Sequence, residues 1–179
     1  MAAVNKLDTS RITLIQVDPA GKTVSVLEKR ADALLGSIDD QFYALKARGV
    51  EPAALRFADN GVDLVGFPVF AQHDLIKSKP DLVRRFVKAT VRSWEEARRN
   101  PQAAVDATMK YKADLNRQAI HDQLMADLPL LESKNSKGRV GFGAQADWER
   151  TLDLLRKYRD VKADQPWTYY HTNEFLPKQ

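Results

Sequence analysis

The sequence predicts an α/β first third followed by a helical remainder. Short apolar runs at residues 12–17, 33–38 and 54–58 alternate with helix-like patterns, which implies parallel strands joined by right-handed crossovers. From Lys79 onward the apolar residues recur at helical spacing. Residues 79–101, KPDLVRRFVKATVRSWEEARRNP, form the cleanest amphipathic pattern in the chain.

Ile12–Val17 is a mostly apolar run bounded by Thr9-Ser10 and Asp18-Pro19, and reads as a strand. Asp18 can cap a helix with Pro19 in its first turn, running to about Lys29. Ala33–Ile38 reads as a buried strand ending in Asp39-Asp40-Gln41, and Phe42–Ala47 as a short helix broken by Gly49 and Pro52. Ala54–Ala58 is a third strand, closed by the turn Asp59-Asn60-Gly61. Val65–Ala71 is a fourth, and Pro68 makes it an edge or bulged strand because proline donates no ladder hydrogen bond. Helices are expected over Pro80 to about Arg99, Pro101 to about Tyr111, Asp114–Leu128, and Gln145 to about Tyr158. Within the first of these, Leu82, Val83, Phe86, Val87, Thr90, Val91 and Trp94 share one half of the wheel, opposite Arg84, Arg85, Lys88, Arg92 and Glu95. Glu132–Gly143, rich in Ser, Asn, Lys and Gly, is the expected mobile loop.

A hydrophobic content of 44% with 29% charged residues is that of an ordinary soluble globular protein. The 28 basic and 24 acidic residues are interleaved, which argues against a nucleic-acid groove. With no cysteine, disulfides, thiolate metal sites and cysteine nucleophiles are excluded. No run approaches the ~20 apolar residues that span a bilayer, and MAAVNKLDTSR lacks the plan of a secretory signal.

The three histidines are far apart, and His73-Asp74 and His121-Asp122 read as surface pairs rather than metal ligands. No residues are assigned to catalysis, to a metal or to a cofactor. The stripe of Phe86 and Trp94, with Trp148, reads as core packing rather than a cofactor stack. The ligand-binding candidates are Asp39, Asp40, Gln41 and Asn60. Carboxylates and an amide beyond the carboxyl end of a strand can accept hydrogen bonds from a small polar or cationic solute, or from an aminopyrimidine-like ring. Capping of the following helix is the simpler account of either acid, and Asn60 before Gly61 suits both a turn and a cleft-lining crossover.

Four stretches carry a family resemblance: VDPAGKTVSVLEKRADALLGSIDDQ, RFADNGVDLVGFPVFA, KPDLVRRFVKATVRSWEEARRNPQAAVDA, and ADWERTLDLL with YYHTNEFLP. In this order they resemble the substrate-binding proteins of ABC importers, in the subgroup serving thiamine-pyrimidine precursors, riboflavin, nitrate and sulfonates. The resemblance implies a two-lobed, type II periplasmic-binding fold that closes on a small solute and delivers it to a membrane permease. It implies that Asp39-Asp40-Gln41 lie on the cleft-facing loop of the second lobe and Asp59-Asn60-Gly61 on the crossover to the first. Residues 1–60 would then be the remainder of the second lobe, and residues 61–179 the carboxyl-terminal portion of the first.

Members of the family are roughly twice this length, consistent with two full lobes. The sequence therefore reads as a partial type II fold, either a fragment or a short natural protein, periplasmic by family but with no export signal of its own. It is also expected to form a homodimer or strand-exchanged assembly, since the Phe86/Trp94 stripe has lost partner surface and unpaired edges invite exchange. The alternative functions are a non-binding interaction fragment and a thiamine-pyrimidine synthase. The synthases share the fold but rely on a cysteine-rich motif, which this chain lacks.

Overall fold

A computed structural model describes residues 1–66 and 68–178. Its elements are helices α1 (Pro19–Leu27), α2 (Tyr43–Lys46), α3 (His73–Ser78), α4 (Pro80–Arg99), α5 (Pro101–Tyr111), α6 (Arg117–Asp127), α7 (Gln145–Arg159) and α8 (Trp167–Tyr170). A π-turn at Ile38–Phe42 leads into α2, and 3-10 turns lie at Ala58–Asn60 and Leu128–Leu130.

The helix signals act locally and are obeyed. Asp18 Oδ1 accepts from Gly21 N at 2.7 Å, so α1 starts as its Asp-Pro pair dictates. α4 runs from Pro80 to Arg99, with Asp81 in its first turn and Arg98 and Arg99 in its last, each matched to the helix dipole. Asn100 Oδ1 then caps α5 through Ala103 N at 3.1 Å. α6 begins later than Asp114: its cap is Asn116, which accepts from Ala119 N at 2.9 Å.

The expected strands do not form. No strand or sheet is present among the described residues, which overturns the α/β class and the mostly parallel sheet of a partial type II periplasmic-binding fold. Phe67, inside the expected 65–71 strand, lies outside the described residues. The reason is physical: an apolar run fixes extended backbone, but a strand exists only where a neighbouring strand supplies N–H and C=O partners. Here side chains take those places. Lys22 Nζ donates to Leu35 O (3.1 Å), Gln41 Oε1 accepts from Ser37 N (2.8 Å), Asn60 Nδ2 donates to Arg56 O (2.8 Å), and Thr151 Oγ1 accepts from Val65 N (2.8 Å). Most of the apolar residues of these segments stay in solvent, with Leu14 85% and Phe70 92% exposed, while Leu34, Ile38 and Val65 are half-buried.

The chain divides into two compact units. The first comprises Met1–Gly61 and Val105–Asp127. In it α6 packs on the π-turn and on α2, and α1 packs on α2. Ser25, Leu45 and Val105 are buried there. The second comprises Val62–Ala104 and the residues from Leu128 onward. In it α3 packs along α4 and α7 along α8. Its buried residues include Val91, Ala97, Val140, Ala144, Leu152, Ala163 and Phe175. No helix among the described residues is long and apolar enough to cross a membrane.

Candidate functional site

Asp39, Asp40 and Gln41 share the π-turn of the first unit, and Gly36 makes their arrangement possible. A Cβ at Gly36 would lie 2.5 Å from Gln41 Oε1, so only glycine lets this side chain fold back onto the backbone. Gln41 Nε2 also donates to an Asp40 carboxylate oxygen. Both functional groups of Gln41 are thus engaged within the turn. Neither the π-turn nor α2 has a side-chain cap, so neither acid plays the capping role that the sequence allowed.

Asp39 stands apart from its neighbours. Its Oδ1 is buried without a hydrogen-bond partner, a state that carries a desolvation cost unless something occupies it. Asp127, at the end of α6, is held above the usual carboxylate range by burial, and further by the Asp39 charge. Asp39 and Asp127, both half-buried, are therefore close enough for the charge of one to act on the other. Asn60 is engaged elsewhere: its side chain donates to Arg56 O, and its carbonyl accepts from Asn5 Nδ2 at 2.9 Å. Gly61 closes that turn at φ 78°, the left-handed conformation expected of Asn-Gly.

The second unit holds two polar constellations that sequence reasoning missed. Asp147, only 5% exposed, accepts from Ser133 Oγ, from Asn135 Nδ2 at 2.7 Å and from Arg150 at 2.9 Å. Burial alone would raise this carboxyl, but those three bonds together with the Arg150 charge outweigh it and hold the group below its ordinary range. Arg150 also bridges Asp63 at 2.8 Å and donates to the Asp63 carbonyl at 3.0 Å. The loop 132–143, expected to be mobile, is thereby fastened to the first turn of α7, with Ser136 and Val140 buried. Asp147 lies in ADWER, where it resembles any first-turn acid; only its burial sets it apart.

The other constellation is a ring stack. His171 lies against Trp148 at 4.8 Å between centroids and 20° between planes, and against Trp167 at 6.2 Å and 25°. Asn173 orients it, with Oδ1 3.0 Å from His171 Nε2, while also bonding Gly143 N at 2.9 Å and Gly143 O at 2.8 Å. Burial pushes the imidazole below its ordinary pKa, against the opposing effect of Asn173. Beside Trp167, a cleft of about 330 Å³ is lined by α7 residues Glu149, Leu152, Asp153 and Arg156 with Gln165 and Pro166. No group of three or more His, Asp or Glu among the described residues is placed to hold a metal.

The sequence profile of the NMT1/THI5-like family matches residues 1–104, more than half the chain and the whole stretch containing Asp39, Asp40, Gln41 and Asn60. The chain belongs to the NMT1/THI5-like family. It is also 26% identical over 160 residues to the riboflavin-binding protein RibY of Chloroflexus aurantiacus. That alignment covers 87% of this chain but 45% of RibY, so the chain spans about half the length of its curated relative. Both findings support the resemblance to substrate-binding proteins read from the sequence.

Proposed function

We propose that this chain is the solute-binding component, or part of one, of an ABC importer for a small organic or anionic nutrient. The observation that carries the reading is similarity to a riboflavin-binding protein over 87% of the chain, together with family membership. The buried, unpartnered Asp39 Oδ1 supports it chemically, since a ligand N–H or O–H arriving there would satisfy an acceptor that the fold leaves open. Asp39 is the proposed ligand acceptor. Asp40 and Gln41 are proposed to shape the wall around it, and Asn60, bonded to Arg56 O, to contribute through the turn that it holds. The solute is a flavin, a thiamine-pyrimidine precursor or a sulfonate, its carrier a membrane permease, and the compartment periplasmic.

Thermal unfolding of the chain with riboflavin, aminopyrimidines, taurine and nitrate tests this directly. A ligand that binds only the native state raises the midpoint in proportion to ln(1 + [L]/Kd). The expected result is a concentration-dependent rise with one class, abolished by Asp39→Ala. A flat response to every class would favour the second reading, a non-binding interaction fragment. The uncovered apolar segments around Leu14 and Phe70 are the specific observation on that side.

A further inference from the structure

The cleft beside Trp167 lies wholly within the second unit and takes no part in the binding proposed at Asp39. One wall is a single face of α7. Glu149, Leu152, Asp153 and Arg156 fall within an arc of about 100° at the pitch of an α-helix. The other wall is the segment that turns back from α7 through Asp160, left-handed at φ 50°, and ends in Pro166 and Trp167. Two ties hold the walls together. Arg156 Nε donates to the carbonyl of Ala163, a residue only 3% exposed. Trp167 stacks on His171, which in turn stacks on Trp148 of α7. The cleft is therefore preformed, and its volume of about 330 Å³ is at the small end of the range for small-molecule sites.

The lining decides the charge of the occupant. Arg156 is spent: besides the Ala163 carbonyl, its Nη1 donates to Asp153 Oδ1 at 2.7 Å, which balances that carboxylate and leaves no free cation for an anion. Glu149 is not balanced. Among the described residues its carboxylate bonds only the neutral amide of Gln145, at 2.7 Å. Asp153, one turn along the same face, adds to the negative potential there. Trp167 contributes an indole, the aromatic ring that attracts a cation most strongly. Burial holds His171 below its ordinary pKa, so at neutral pH the stack behind that indole carries no opposing charge.

We propose that this cleft binds a small planar organic cation of the guanidinium type, stacked on Trp167 with its N–H edge on Glu149. A flat cation matches the face of an indole. Its fork of donors gives a carboxylate two parallel hydrogen bonds, where an ammonium acts as a point charge. Leu152 and Pro166 supply apolar surface for a short alkyl substituent.

Butylguanidinium is the probe, with butylurea as its uncharged isostere and butylammonium as its non-planar counterpart. Calorimetric titration should show saturable binding of butylguanidinium in the millimolar range. Tryptophan emission should change with it while far-UV circular dichroism stays constant, which separates binding from denaturation. Butylurea and butylammonium should bind at least about tenfold more weakly, for want of the charge-assisted pair of hydrogen bonds. Glu149→Lys changes an exposed residue, so the fold should persist and binding should fall at least about tenfold. Trp167→Leu should weaken binding by a similar factor, and Glu149→Lys carries the test by itself if the stack cannot form without Trp167. Absence of saturable binding would overturn the proposal. So would equal binding of butylurea or butylammonium, or a folded Glu149→Lys variant that binds like the wild type.

Discussion

Replacing Asp147 with alanine should be the most damaging single change in the second unit. The carboxylate accepts from Ser133, Asn135 and Arg150, and it is buried. Hydrogen bonds contribute a net ~1 kcal/mol each, more when one partner is charged. Ser133 and Asn135 are exposed enough to rehydrate, and Arg150 keeps Asp63 at 2.8 Å, so no donor or cation is stranded in a dry interior. Three bonds at that value give a cost of about 3 kcal/mol. For a unit of this size each kcal/mol moves the midpoint roughly 4–8 °C, so calorimetry should show a fall of roughly 10 °C or more. Asp147→Asn, which keeps one acceptor oxygen, should lose about half as much. The pH dependence has a definite sign. A carboxyl held below its unfolded value contributes stability above that value and loses it as pH falls through the folded one. The acid limb of the stability curve should therefore be shallower in Asp147→Ala than in the wild type. A midpoint within about 3 °C of wild type would refute the reasoning, because a loop so weakly fastened has no hub at Asp147.

Gly143→Ala should destabilise the same unit by about 2 kcal/mol or more, since the new Cβ would collide with His171 Nε2 and lie 2.6 Å from Trp148 Nε1; urea titration reads this. His171 favours its neutral form in the folded unit, so stability should fall as pH drops below the ordinary histidine value of about 6.5 toward the lower folded value. His171→Phe should flatten that segment of a pH–midpoint series. Asp39→Asn should leave stability unchanged or raise it by up to about 1 kcal/mol, because it removes a charge that strains Asp127. Carboxyl NMR titration should show Asp127 moving back toward its ordinary range, and a clear destabilisation would mean that Asp39 has a structural partner.

The difference between what the sequence revealed and what it hid follows the range of the forces. Pro80, Asp81 and the flanking Asn100-Pro101 act within one turn of their own helix, so the bounds of α4 and α5 were readable directly. Asn116 was overlooked as a cap because Asp114 and Asn116 are chemically alike at that position. The extended runs are legible as extended, but pairing is a property of two segments, and the side chains of Lys22, Gln41 and Thr151 reach their backbones. Within the candidate site, the inward turn of Gln41 depends on Gly36, five residues away, and no motif announces it. Asp147 was unreadable for a similar reason, since its partners Ser133 and Asn135 come from a loop whose composition suggests mobility. The stripe on α4 was visible, but not that Trp94 would be packed while Phe86 stayed in solvent.

The stack of Trp148, His171 and Trp167 has an optical consequence. The third tryptophan, Trp94, lies in the same unit, and the first unit contains none. Intrinsic tryptophan emission is therefore a reporter for one half of the molecule alone, silent about the half that carries Asp39. Two of its three emitters lie against an imidazole whose protonation alters quenching, so their brightness should track proton uptake at His171 before any unfolding. A solute that changed this emission would be reporting on the second unit, and one bound at Asp39 would have to be followed by its own absorbance.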